Sequence, residues 1–348
     1  MSATPFSCAA LMREIGRGKD GSRALSREQS HSLMTAILDG GVSDLELGAV
    51  LIALRMKGEV AAEIAGFLDA VDTRCVTVTP GGDTPVVVLP TYNGSRHAPN
   101  LVPLLALTLA EAGVPVILHG QASDPAAQGA GSNKTRITTL DILERLGLSP
   151  ASSAAEASSQ LAADRLAYLP LATACPGLAR LIGLRRVLGV RNVSHTLAKL
   201  LRPVAGPSLL LSAYTHPEFG DMLGELFTLK PQASLLMRGT EGEAVANVRR
   251  PQAVVEWLGG VPTTVVEAAA GSPAELPALP DRDAGATADW IRAVQGGELP
   301  LPDAIARQRD AILATIGRMQ SDDGGRKQDV GDAVLEAGVA GARHERPA

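Results

Sequence analysis

"TPVVVLPTYNGSRHAPNLVPLLALTLAEAGVPVILHG" occupies residues 84–120. It opens on an unbroken apolar run, Val86 to Leu89. Such a run reads as a strand buried on both faces, the mark of a parallel sheet. A turn rich in Gly, Asn and Thr follows, then an apolar helical segment from Asn100 to Ala112, then a second strand, "VPVILHG" (114–120). Strand, helix and strand at this spacing predict a parallel βαβ unit. The pattern returns as "GPSLLLSAY" (206–214), "PEFGDMLGELFTL" (217–229) and "QASLLMRG" (232–239). The predicted fold class is α/β, with a mainly parallel central sheet and helices on both faces.

Working outward, residues 1–72 read as helices only. "SREQ" (26–29) and "SDLE" (43–46) are capping-box patterns ahead of apolar runs. "LELGAVLIALRMKG" (45–58) has helical periodicity and stops at Gly58, and "AAEIAGFLDAV" (61–71) forms another short helix. The division predicted is a small N-terminal helical domain (1–72), joined by helices from about 165–190, a large α/β domain (73–321) and a loose tail (322–348). Residues 121–135, "QASDPAAQGAGSNKT", read as a Gly/Ala/Ser-rich loop.

The 348 residues are 45% hydrophobic, enough for a substantial core, but only 3% aromatic, so base-stacking platforms are few. Cys8, Cys75 and Cys175 stand far apart, which argues against a disulfide framework or a zinc site and fits a reducing cytoplasm. No long apolar run follows a basic start, and no stretch reaches membrane-spanning length. The expectation is a cytoplasmic protein with no membrane partner and no metal site.

The formal charge of −5 conceals a division. No acidic residue occurs between Asp164 and Glu218, while Arg165, Arg180, Arg185, Arg186, Arg191, Lys199 and Arg202 all do. That segment carries +7 and the remainder −12. Two shorter acid-free stretches hold Arg96 with His97, and Lys134 with Arg136. Both begin at the C-terminal ends of predicted parallel strands, where open α/β sheets bind ligands. Within "RNVSHTLAKLLRP" (191–203), helical spacing sets His195, Lys199 and Arg202 on one face and Leu197, Leu200 and Leu201 on the other. The pattern predicts an anion site, for a phosphorylated small molecule or a nucleic-acid backbone.

Single motifs are weaker. "GAGSNKT" (129–135) fails as a P-loop, because Asn133 stands where glycine must precede Lys134. His119 ends a strand and is a candidate general base, with no carboxylate placed to tune it. No Ser/His/Asp or HExxH pattern occurs, so no catalytic residue is assigned.

Several segments together resemble the anthranilate phosphoribosyltransferases. "LGAVLIALRMKGEVAAEIAGFLDAV" (47–71) is similar to that family's N-terminal helices, and "LRRVLGVRNVSHTLAKLLRPVAG" (184–206) to its "VRKELGVRT…NLLGPL.NP" segment. The resemblance spans roughly residues 10–320. It implies a nucleoside phosphorylase/phosphoribosyltransferase-like fold and a homodimer formed through the helical domain.

The active-site motifs depart from the family. Its GTGGD loop is "PTYNG" (90–94) here, its NxST is "NLVP" with Val102 and Pro103, and the lysine of its KHGN is Leu118. The acidic pair that holds the magnesium of phosphoribosyl pyrophosphate falls at Ala244 and Val245. Arg185 keeps the place of the arginine facing anthranilate. Metal–pyrophosphate chemistry needs carboxylates for the metal and donors for the leaving group.

"RGTEGEAVA" (238–246) and the 84–120 segment resemble the TrpD-like, YbiB-type branch of glycosyltransferase family 3. That resemblance implies a dimer binding DNA or RNA, single-stranded and without sequence preference. Arg185, Arg186, Arg191, Lys199 and Arg202 are then the phosphate contacts, with His195 at the edge and Arg96, Lys134 and Arg136 extending the surface. Thr91, Asn93, Gly94, Asn100, His119, Gly120 and Arg185 form a vestigial substrate pocket. No cofactor is expected. The alternative is a glycosyl or phosphoribosyl transferase using magnesium phosphoribosyl pyrophosphate in a remodelled pocket.

Overall fold

In the computed structural model, described for residues 6–18, 20–121, 136–269 and 278–321, the Val86–Leu89 run lies inside a seven-stranded sheet. The strands are β1 (Val86–Thr91), β2 (Val116–Gly120), β3 (Leu166–Pro170), β4 (Ser208–Tyr214), β5 (Ser234–Arg238), β6 (Val254–Leu258) and β7 (Val261–Val266). Their order is β3-β2-β1-β4-β5-β6-β7. The first five pair in parallel, and β6 and β7 are added antiparallel. The sheet is thus mainly parallel, with a hairpin at one edge. All six residues of β1 are buried, as its uninterrupted apolar run requires.

Period-two alternation splits the core between the two faces. Val86, Val88, Ile117, Leu169 and Leu210 pack on the side that meets the N-terminal helices, with Leu33, Leu51, Leu54, Ile64 and Phe67. Val87, Leu89, Leu118, Leu209 and Leu211 face the helix Val102–Glu111 and the helices nearer the C-terminus. Each fully buried side chain of this kind contributes roughly 1.5–3 kcal/mol.

The N-terminal part consists of helices Ala9–Ile15, Arg27–Leu38, Asp44–Lys57 and Ala61–Asp72. Ser26 and Ser43 cap two of them by accepting from the Gln29 and Glu46 amides, so both capping boxes form. Residues 165–190 open with edge strand β3 before turning helical at Leu171. Leu171, Leu178 and Leu181 join the core of the N-terminal helices. Among the described residues no helix is long and apolar enough to cross a membrane. Lys134, most of the 121–135 loop and the 322–348 tail lie outside the described residues.

Candidate nucleic-acid interface

Parallel strands gather their following loops at one end of the sheet, and here the loop after β1 meets the loop after β5. The second loop carries two glutamates, and both are spent on the first. Glu243 Oε1 accepts from the amides of Asn93 (2.6 Å) and Gly94 (2.8 Å). Glu241 accepts from the amides of Arg96 (2.7 Å), His97 (2.7 Å) and Ala98 (2.9 Å). Five backbone donors thus converge on two carboxylates, the arrangement with which a loop ordinarily cradles a phosphate. Burial works to raise the Glu241 carboxyl, but the three amide bonds outweigh it and hold the group below the usual carboxylate range. Tight backbone geometry makes the fit possible: Gly242 has φ +88°, and a Cβ there would stand 2.2 Å from Asn93 Nδ2. Gln308, from the helix over residues 303–321, braces the loop through Ala246 N (2.7 Å) and Ala244 O (2.9 Å).

Cations surround the pair. Arg136 donates to the carbonyls of Asn93 (2.8 Å) and Gly94 (3.2 Å), Arg191 to Asn93 Oδ1 (2.9 Å), and Lys199 to the Gly242 carbonyl (2.9 Å). Burial, then the like charges of Arg185, Arg136, Arg55 and Arg96, lower the Arg191 pKa. Five arginines from four separate segments therefore share one neighbourhood. Burial likewise brings Lys199 down to about 8, against the pull of Glu243. Arg185 and Arg186 are exposed in the short helix Arg185–Leu188.

The predicted stripe is not reproduced. The helix is only Ser194–Ala198, so Lys199 ends it and Arg202 lies beyond it. Arg202 turns inward and donates to the Ser208 carbonyl (3.2 Å) and Ser234 Oγ (2.8 Å), at the starts of β4 and β5. Those starts are the opposite end of the sheet from the loops above. Burial lowers Arg202 to about 10, and its role is to tie two strands together rather than to contact phosphate. His195 is half-buried against Asn192, and burial, then Arg191, brings its pKa to about 4, so it is uncharged at neutral pH.

The pocket predicted around Asn93 and His119 has closed on itself. Thr91 and Asn100 both bond Thr139, and Gly120 sits against the Thr91 carbonyl. His119 is fully buried between the Tyr92 hydroxyl (2.7 Å) and the Leu201 carbonyl (3.0 Å). Burial lowers it to about 4. A neutral imidazole with both nitrogens occupied is a core group and not a free general base.

Magnesium phosphoribosyl pyrophosphate does not fit these residues. The amides that would meet its phosphates are held by Glu241 and Glu243, and Ala244 and Val245 are buried at 3% and 2% exposure with no side-chain oxygen to offer a metal. Among the described residues no cluster of His, Cys, Asp or Glu is arranged to hold a metal ion. The two glutamates are legible in "RGTEGEAVA", where their flanking of Gly242 is the signal.

Comparison with known proteins agrees with the fold. Residues 10–75 match the glycosyl transferase family helical bundle domain. YbiB of Escherichia coli K12 is 39% identical over 312 residues, covering 88% of this chain and 93% of its own. Anthranilate phosphoribosyltransferase of Halobacterium salinarum is 28% identical over 309 residues, 88% of this chain and 86% of its own. Among solved structures, the Thermus thermophilus anthranilate phosphoribosyltransferase superposes with a TM-score of 0.65 at 20% identity, covering 89% of this chain and 96% of its own. The Saccharomyces cerevisiae enzyme in complex with PRPP and Mg gives 0.58 at 15% identity, covering 89% and 95%. The chain belongs to the TrpD-like proteins of glycosyltransferase family 3, in the YbiB branch.

Proposed function

We propose that the chain is a catalytically silent member of its family that binds single-stranded DNA or RNA in the cytoplasm, as a homodimer and without sequence preference. The observation that carries this reading is the convergence of Arg55, Arg96, Arg136, Arg185 and Arg191 at one end of the sheet. Two internal carboxylates offset part of that charge, and exposed Arg55 and Arg185 present the rest to solvent. Phosphate contacts of this kind position a strand without reading its sequence. The acid-rich remainder repels a polyanion and so orients it. Against phosphoribosyl transfer stands the loop already filled by Glu241 and Glu243. Dimerisation is supported by apolar side chains left exposed on and beside the helix Asp44–Lys57: Leu45 (86%), Met56 (77%) and Val187 (81%).

The test is fluorescence anisotropy of a labelled single-stranded oligonucleotide at several salt concentrations. Binding is expected to weaken with a log–log slope of about −0.7 per phosphate contacted, alike for unrelated sequences. Arg185→Glu should weaken binding and flatten the slope. No binding at low salt, or binding indifferent to Arg185→Glu, overturns the assignment.

A further inference from the structure

We infer that the cleft at the C-terminal end of β4 is a subsite for one unstacked nucleobase, an inference that rests on the nucleic-acid reading above. Alternation along β4 sends Leu210, Ser212 and Tyr214 to the sheet face that meets the N-terminal helices. Leu210 is core, but Ser212 and Tyr214 run on into a cleft of ≈ 250 Å³ whose other sides include Phe219, the cations Arg55, Arg191 and Lys199, and one carboxylate, Glu59. This volume is below the roughly 300–1,000 Å³ of pockets for drug-sized ligands and suits a single ring system.

Two features of the lining call for a ligand. Ser212 is only 2% exposed, and its Oγ has no hydrogen-bond partner among the described residues. A buried hydroxyl is ordinarily bonded, so an orphan at a cleft floor marks a place for a polar atom from outside. The second feature is aromatic. The chain holds four Phe, two Trp and three Tyr in 348 residues, yet Tyr214 and Phe219 both border this one cleft. Phe219, in the first turn of the helix Pro217–Leu229, is 40% exposed.

A flat apolar face, a hydrogen-bonding hydroxyl and adjoining cations match the three parts of a nucleotide: base face, base edge and phosphate. Arg191 belongs both to this cleft and to the arginine cluster, so a strand lying on the cluster reaches the cleft with one base turned out.

The experiment compares a single-stranded oligonucleotide with an abasic strand of equal length and phosphate number, by anisotropy at fixed low salt. The wild-type protein is expected to bind the abasic strand at least about fivefold more weakly, with the same salt slope. Phe219→Ala alters an exposed side chain, and it should erase the difference while leaving abasic affinity unchanged; Ser212→Ala should reduce the difference. Equal wild-type affinity for the two strands overturns the subsite and leaves strand binding standing. Discrimination undiminished in both variants also overturns it, by placing the base contact elsewhere. Failure of both strands to bind at low salt removes the nucleic-acid reading itself, and the subsite with it.

Discussion

Glu243 is 2% exposed, and while its Oε1 takes two amide bonds, its Oε2 has no hydrogen-bond partner among the described residues. A buried carboxylate half-satisfied by hydrogen bonds survives because Lys199 and Arg136 lie close enough for their charges to be felt. Removing it leaves two buried amides and a group of arginines uncompensated. Glu243→Ala should therefore cost roughly 3 kcal/mol of stability, read as a lowered midpoint in urea unfolding. Glu243→Gln keeps an oxygen for the Asn93 and Gly94 amides, so it should cost less than the alanine variant. If alanine proves neutral, the glutamate is not what holds the β1 loop. The same residue marks a limit of sequence reading. Its presence in "RGTEGEAVA" is plain, but that it folds back 150 residues in sequence onto Asn93 is a tertiary fact.

At the scale of the element, local signals fared best. Ser26 and Ser43 announce their helices because a capping box is local chemistry, complete within four residues. β1, β2, β4 and β5 were legible because burial on both faces leaves unbroken apolar runs. β3 is not legible because Leu166–Pro170 runs straight into helix at Leu171 with no turn between. The edge hairpin of β6 and β7 has the two-residue turn Gly259-Gly260 as its one local mark, because β7 is largely exposed and carries no buried apolar run. The basic stripe does not form because the helix ends at Ala198, and Arg202 lies in the connection between it and β4. Periodicity cannot reveal that a cation is spent on strand ends. Arg202→Met should consequently lower stability by about 1–3 kcal/mol, since Ser234 Oγ and the Ser208 carbonyl lose a charged donor. Oligonucleotide affinity of the folded variant should match wild type, in contrast to Arg185→Glu. A matched loss of affinity in both would return Arg202 to the binding surface.

Over the whole molecule, the partition of charge and the unpartnered apolar face belong to one argument. A single copy gathers five arginines, a small footprint for holding a polyanion against physiological salt. Leu45 and Met56 project from the helix Asp44–Lys57 beside a hollow of ≈ 1030 Å³ lined by Ile52, Ala49 and Leu188, an exposed apolar patch of the sort that marks an interface. Pairing two copies there would bury that patch and bring a second arginine cluster into one particle. Leu45→Glu with Met56→Glu places charge on the patch without touching either core, so the variant should stay folded and sediment as a monomer. On an oligonucleotide long enough to span both clusters, its salt slope should fall to about half the wild-type value, because half the phosphates are contacted. On a strand covering one cluster, affinity should be unchanged. Sedimentation that is identical for variant and wild type would remove this face from the assembly, and a halved affinity on the short strand would mean that the Leu45 and Met56 patch, and not Arg55 alone on this helix, touches nucleic acid.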